Sequence, residues 1–240
     1  RTFLDSAISQ INRSYLSALM EHKKLIEQRN ALLKGYEKQK DSFAVTMEIL
    51  SEKLAQDAAY ITEVRAKYLT KLFSLVNGYL SEMTEGHEKA EFCYLSHIAG
   101  NETEELLDRE ENLKRYRRIF SKDIQKEIII GSSIGGAHRD DFEIKLNGMN
   151  AKIFASQGQQ RSIALAMKLA EGEISREESG EYPVFLLDDV LSELDRDRKH
   201  YVLSELHDRQ VIITTCDEND FSGINHALKI YVENGNYEYR

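Results

Sequence analysis

Apolar residues return every three or four positions through the first third of the chain. Up to about residue 34 they fall at Ile8, Ile11, Tyr15, Leu19, Ile26 and Leu33; from Phe43 they continue at Met47, Leu50, Leu54, Ile61, Val64, Tyr68, Leu72, Leu75 and Tyr79. Steps of three and four place these side chains on one face of an α-helix. Gly35 marks the break between two helices, and Asp41 and Ser42 offer an N-cap for the second. So short a connection predicts antiparallel neighbours, a helical hairpin or arm. At ~1.5 Å per residue its second helix reaches on the order of 60 Å. Helix packing accounts for the stripe, and contact of the tip with a partner or DNA is compatible with it.

Gly86 ends this run. Residues 91–98 read as a strand with Phe92, Tyr94 and Leu95 inward. Asn101 followed by Glu104 is a variant capping box that opens a helix through about Phe120. Its acids (Glu102, Glu104, Glu105, Asp108) come first and its bases (Lys114, Arg115, Arg117, Arg118) last. The helix dipole favours that order, so the basic cluster has a structural explanation beside a phosphate-binding one.

After residue 126 the character changes. The segments 142–146 and 152–154 flank Asn147-Gly148, a hairpin signal. Residues 163–174 read as helix; 184–187, 211–214 and 228–232 read as strands, with a helix near 198–206 between the first two. Strands alternating with helices imply an α/β lobe.

A net charge of −9 weighs against a protein that coats nucleic acid by bulk attraction, so any phosphate-binding surface is a local patch. No run approaches the ~20 apolar residues needed to cross a bilayer, and no N-terminal signal segment is evident. Cys93 and Cys216 stand alone, without the four ligands of a structural zinc site. Isolated cysteines suit a reducing compartment, and the expectation is a cytoplasmic protein with no membrane partner.

The chemistry concentrates in the second half. Val184-Phe185-Leu186-Leu187-Asp188-Asp189 is a buried strand with two carboxylates at its C-terminal end, the edge at which open α/β sheets bind ligands. One carboxylate there can hold Mg²⁺, directly or through water, and a second can polarise an attacking water; an apolar run closed by acids is also common without such a role. Leu191-Ser192-Glu193-Leu194-Asp195 follows at once. Upstream stands Ala155-Ser156-Gln157-Gly158-Gln159-Gln160-Arg161, directly before an amphipathic helix. Ser156 reads either as a plain N-cap or as part of an anion site at the helix start, where Gly158 has no Cβ to collide with a phosphate. No G-x-x-x-x-G-K-[ST] occurs, and no Gly precedes a Lys anywhere. Without that loop no lysine cradles a β-phosphate, and the chain alone is expected not to hydrolyse a nucleoside triphosphate.

Together these segments resemble the RecF family of bacterial recombination mediators, relatives of the SMC proteins, over essentially all 240 residues. The resemblance is carried by Arg1-Thr2-Phe3-Leu4-Asp5, by Gln28-Arg29-Asn30-Ala31-Leu32-Leu33-Lys34, and by Gly136-Ala137-His138-Arg139-Asp140-Asp141 with Ala137 where the family has Pro. It is carried equally by the Ser156 signature and by the segment from Leu187 to Asp195. It implies an α/β ABC-type ATPase lobe, P-loop NTPase-like, with an inserted helical-hairpin arm. Residues 1–9 would close an N-terminal ATPase segment, 10–125 would form the mainly helical arm, and 126–240 the C-terminal ATPase lobe.

The same resemblance implies ATP and Mg²⁺ as cofactors. Asp188 would be the metal ligand and Asp189 the catalytic carboxylate. Ser156, Gln157, Gly158, Gln159 and Gln160 would form the signature that meets ATP held by an opposite protomer. Ser192 and Asp195 would belong to the D-loop, and Thr214 and Thr215 stand at the switch position where related transporters have His. The implied activity is an ATP-driven homodimer clamping double-stranded DNA near single-strand gaps and ss/ds junctions. RecO and RecR would be its partners, with RecA loaded indirectly. An SMC-like protein, or an interaction module carrying an inert ATPase remnant, is the alternative.

Overall fold

In the computed structural model of the chain, Asn12 breaks the first apolar run into two helices, α1 (Thr2–Ile11) and α2 (Arg13–Lys34). Asn12 is extended, with φ −132° and ψ 97°. Its amide donates to the Ile8 carbonyl and its side chain accepts from the Tyr15 amide at 2.9 Å, so one residue closes α1 and caps α2. The structure describes residues 1–38, 40–98, 103–217 and 227–239. These fall into two compact units, Arg1–Tyr182 and Pro183–Arg240. That division by packing differs from the partition at 125/126 expected from the sequence.

In the first unit the expected hairpin is α2 against α3 (Lys40–Met83), which is 44 residues long. Asp41 lies inside its first turn rather than at the cap, because the helix already begins at Lys40. Around the hairpin tip Leu32, Leu33, Phe43 and Met47 form a cluster that Ile124 and Ile128 cover. Along its middle, α3 is buried on more than one face: Ala55, Ala58, Ala59 and Ala66 are each 0–1% exposed. Small side chains there let neighbouring elements approach closely, and α2, α4 (Arg109–Lys122) and α7 (Gln157–Ser179) all pack along α3.

The Asn101 cap lies outside the described residues. Of the helix expected through Phe120, Thr103–Leu106 is a 3₁₀ turn and α4 starts afresh at Arg109, capped by Asp108, which accepts from the amides of Glu110 and Glu111. A short α5 (Ile124–Ile130) follows. Strands β1 (Ala90–Leu95), β2 (Asp141–Leu146) and β3 (Met149–Asn150) form an antiparallel sheet in that order, with Tyr94 opposite Phe142. Tyr94 is buried as expected, whereas Leu95 is 42% exposed, because neighbouring strand residues point to opposite faces. The Asn147-Gly148 turn forms with φ of 49° and 81°, the left-handed pair of a tight hairpin. Its second strand stops after two residues. Residues 152–154, expected as strand, belong to a single helical turn, α6 (Ala151–Phe154), where the Ala155 amide bonds back to the Ala151 carbonyl at 3.2 Å instead of joining the ladder.

In the second unit β4 (Phe185–Asp188) pairs in parallel with β5 (Val211–Thr214), and α8 (Arg196–Glu205) connects them. Phe185, Leu187, Leu191, Leu194, Val202 and Leu206 are buried. The strand expected to be buried is so on one face only: Leu186 and Ile212, cross-strand partners on the other face, are 71% and 56% exposed, and Val184 is 48% exposed. A hairpin of β6 (Ile230–Glu233) and β7 (Asn236–Tyr239) turns at Asn234-Gly235.

Candidate functional site

The strand end at Asp188 is organised by Thr214, its partner across the β4–β5 ladder. The Thr214 hydroxyl donates to Asp188 Oδ1 and accepts from the Asp189 amide at 3.1 Å, while the Thr214 carbonyl accepts from the same amide at 3.0 Å. Both carboxylates are exposed. Asp189 has φ +52°, a left-handed conformation that Asp and Asn tolerate better than most residues, so the chain leaves the strand direction directly after Asp188. The Ser192 hydroxyl holds the turn by donating to the Asp189 carbonyl at 2.9 Å. Leu191, fully buried, anchors it from beneath. Asp195 caps α8, accepting from the Arg198 amide at 2.9 Å and pairing with Arg198 Nε at 3.3 Å. Thr215 accepts from the Asp217 amide at 3.2 Å. Asp188, Asp189, Ser192 and Thr214 thus form one hydrogen-bonded group.

The signature residues lie in the first unit, at the start of α7. Ser156 forms a complete capping box: its hydroxyl accepts from the Gln159 amide at 3.2 Å, and the Gln159 side chain accepts from the Ser156 amide at 2.9 Å. Gln160 donates to the Ala155 carbonyl at 3.0 Å. Ser156, Gln157 and Gln160 are exposed, and Gly158 and Gln159 half-buried. A hydroxyl that accepts from an amide keeps its own proton to donate. The cap and the anion-facing role are therefore compatible for Ser156.

Sequence reasoning missed two buried arginines. Arg65, 1% exposed on α3, donates to Asp5 at 3.0 Å, to the Tyr15 hydroxyl at 2.9 Å and to the Ala137 carbonyl at 2.7 Å. Asp140 lies opposite, accepting from Tyr94 at 3.0 Å, Tyr116 at 3.2 Å and Ser96 at 3.3 Å. Burial holds the Asp140 carboxyl above its usual range, while Arg65 and the donating hydroxyls oppose that shift. Arg29, fully buried on α2, pairs with buried Glu127 at 2.7 Å and donates to Ser133 and to the Phe120 carbonyl. These two nodes tie the helices to the loop that carries Gly136-Ala137-His138-Arg139-Asp140-Asp141. The signal for them was in the sequence: Arg29 stands four after Leu25 and three before Leu32, and Arg65 four after Ile61, both in phase with the apolar stripe.

The His138 ring lies 5.9 Å from that of His22, tilted by 42°, and His22 is 2% exposed with neither ring nitrogen hydrogen-bonded. Burial, then the charges of His138 and Arg65, push His22 down to about 3. Burial and Arg139 push His138 down to about 4. The basic cluster on α4 is met by acids: Arg117 grips Glu52 of α3 with two bonds, of 2.8 and 2.6 Å, and Arg115 lies 3.6 Å from both Glu105 and Glu111.

No family model matches the chain. It is 40% identical over 233 residues to the DNA replication and repair protein RecF of Caldanaerobacter subterraneus subsp. tengcongensis, covering 96% of this chain and 62% of that protein. To the RecF of Clostridium tetani it is 39% identical over 237 residues, covering 98% and 63%. Among solved structures, the recombination mediator protein RecF with ATP in the RecFOR pathway aligns with a TM-score of 0.84 at 34% identity, over 100% of this chain and 62% of that one. The corresponding RecF–ATPrS structure aligns with a TM-score of 0.83 at 35% identity, covering 99% and 62%. These alignments bear out the expected fold class, an α/β ABC-type ATPase lobe with an inserted helical hairpin. The chain spans about three fifths of the length of the relatives it matches.

Proposed function

The chain belongs to the RecF family, and from that premise we propose that it supplies the signature and acidic-strand portion of an ATP-dependent DNA repair and replication protein. The carrying observation is the group at the end of β4, where Thr214 bridges the Asp188 side chain and the Asp189 backbone. Among the described residues no set of three or more His, Cys, Asp or Glu could hold a metal by itself. A single carboxylate with a neighbouring hydroxyl suits Mg²⁺, which keeps waters and shares the phosphates of its nucleotide. Asp188 would hold that ion, directly or through water, and Asp189 would polarise the attacking water. Bound Mg·ATP supplies the γ-phosphate, and the Ser156 hydroxyl and the α7 start meet it from the opposite protomer.

In this reading the nucleotide bridges two protomers that otherwise repel through their net negative charge. The resulting dimer clamps duplex DNA at ss/ds junctions, and loss of the γ-phosphate opens it. RecO and RecR act with it to load RecA. Sedimentation of the full-length protein with Mg²⁺ and ATP, with and without duplex DNA, tests the proposal. Nucleotide-dependent dimers that retain duplex are expected. A protein that stays monomeric and binds duplex equally with and without nucleotide is an inert interaction module instead.

A further inference from the structure

Thr214 is exposed at the end of β5, directly across the parallel ladder from Asp188. A threonine hydroxyl has a single proton to donate and lone pairs to accept with. Here the proton goes to Asp188 Oδ1, and a lone pair takes the Asp189 amide at 3.1 Å. To donate to a phosphate the hydroxyl would have to abandon Asp188. The β-branch restricts rotation about χ1, so the hydroxyl keeps a fixed direction relative to the strand, which a longer donor would not. The backbone of Asp189 is held from both sides. Its amide meets the Thr214 carbonyl and hydroxyl, and its carbonyl accepts from Ser192 at 2.9 Å. Those bonds brace the left-handed turn, φ +52°, from which the Asp189 side chain projects.

We propose that Thr214 is a positioning residue for the two carboxylates and not a sensor of the last phosphate of the nucleotide. This role rests on the reading of Asp188 and Asp189 above, and deepens it. Through Asp188, Thr214 selects the oxygen offered to the metal: Oδ1 is engaged by the hydroxyl, and Oδ2 is the oxygen left. Mg²⁺ demands near-ideal geometry, so a carboxylate that is held still binds it better than one free to rotate. Through the Asp189 amide, the same hydroxyl helps to aim the water-polarising carboxylate. A switch residue of the transporter kind acts outward on the nucleotide, whereas Thr214 acts inward on the protein. The hydroxyl can be removed without removing the turn. Thr214→Val keeps the β-branch, and the residue's carbonyl still accepts from the Asp189 amide, a bond of 3.0 Å.

The test titrates Mn²⁺ into the stoichiometric complex of the full-length protein with ATPγS, and follows Mg·ATP hydrolysis alongside. Wild type is compared with Thr214→Val, Thr214→Ser and Asp188→Asn. Removing a partner that orients a metal ligand typically costs roughly tenfold to a hundredfold in metal affinity or activity. Thr214→Val is therefore expected to weaken Mn²⁺ binding and to lower kcat by that order. Its melting temperature and its preference for ATPγS over ADP should be those of wild type. Thr214→Ser, which keeps the hydroxyl, should restore both metal affinity and kcat. A valine variant that binds Mn²⁺ like wild type but no longer prefers ATPγS over ADP makes Thr214 a phosphate sensor and overturns the proposal. A valine variant matching wild type throughout overturns it too, as does a serine variant no better than valine. All three outcomes leave Asp188 as the metal ligand. Asp188→Asn with undiminished Mn²⁺ affinity removes that ligand, and the role of Thr214 with it.

Discussion

Arg65 and Asp140 hold their charged groups 4.0 Å apart in the interior of the first unit, each 1% exposed. Asp5 shares the arginine, and hydroxyls of Tyr15, Tyr94 and Tyr116 fill the remaining valences. Removing one partner of such a set strands the others without water. Arg65→Met is expected to lower unfolding free energy by about 3–5 kcal/mol, read from urea denaturation. Asp140→Asn keeps an acceptor oxygen and should cost less. An Arg65→Met protein within about 1 kcal/mol of wild type would refute the view of Arg65 as a structural hub.

Acid should destabilise the first unit through its histidines. His22 and His138 are both depressed from the ordinary 6.5, to about 3 and about 4. The unfolded chain therefore takes up protons below 6.5 while the folded chain does not, and stability falls with pH through that window. For His22 alone the loss is roughly 2 kcal/mol by pH 5. Asp57 acts in the opposite sense, because burial raises it to about 6 and its protonation favours the folded state as pH falls. His22→Leu removes two unpaired ring nitrogens. It should leave stability at pH 7 equal or higher and flatten the acid slope, measured by thermal melts from pH 7 to 4.5. An unchanged slope would show that His22 does not report the acid response.

Asp189→Asn in the full-length protein should separate binding from turnover. Asn tolerates the left-handed backbone at this position as Asp does, so the turn survives. Water activation is lost, and general-base contributions are typically ~10²–10⁴-fold. Nucleotide-bound dimers should accumulate. Hydrolysis close to the wild-type rate would remove Asp189 from the catalytic role.

Ser156→Arg discriminates a plain cap from a residue reaching across a dimer. A cap alone predicts a loss of ~1 kcal/mol in stability with association intact. The bridged dimer predicts that two symmetric bonds of ~1.5–3 kcal/mol are lost, weakening association by roughly two to four orders of magnitude. Sedimentation beside a melting curve decides, and wild-type dimerisation of this variant would end the trans role of the signature.

The α4 cations are expected to contribute little to DNA binding, because Arg117 and Arg115 are already occupied by Glu52, Glu105 and Glu111. Replacing both with Gln should leave the salt dependence of duplex affinity unchanged. A shallower slope, by about one unit per lost phosphate contact, would assign them to the DNA surface.

Much of this was legible in the residues because it repeats or is chemically singular. The stripe through α3, the Asn147-Gly148 turn and the run ending at Asp188 each state their element locally. The break at Asn12 was hidden, since Ile8, Ile11 and Tyr15 keep helical spacing straight across it. The arginine hubs were missed for a different reason: their phase with the stripe is visible, but a hydrophobic pattern scores any cation as polar, and only partners distant in sequence, such as Asp140 for Arg65, make its burial tolerable. Residues 152–154 read as strand because a hairpin signal says where pairing begins and nothing about where it stops. The four-atom group at Thr214 needed the parallel register, which brings together positions 26 apart.

The unbroken run of α3 makes it a ruler graduated in residues. Phe43 and Met47 must face the hairpin tip while Arg65 faces its ring of oxygens, and both requirements act on one rigid rod. Deleting a single residue between Met47 and Arg65 turns everything beyond it by about 100° and swings the guanidinium away from its acceptors. Deleting seven, or inserting eleven, misaligns the two ends by only about 20°. Inherited changes of length between those two positions should therefore come in sevens and elevens, with the neighbouring helices lengthened or shortened to match, and free variation should be confined to the turn after Gly35.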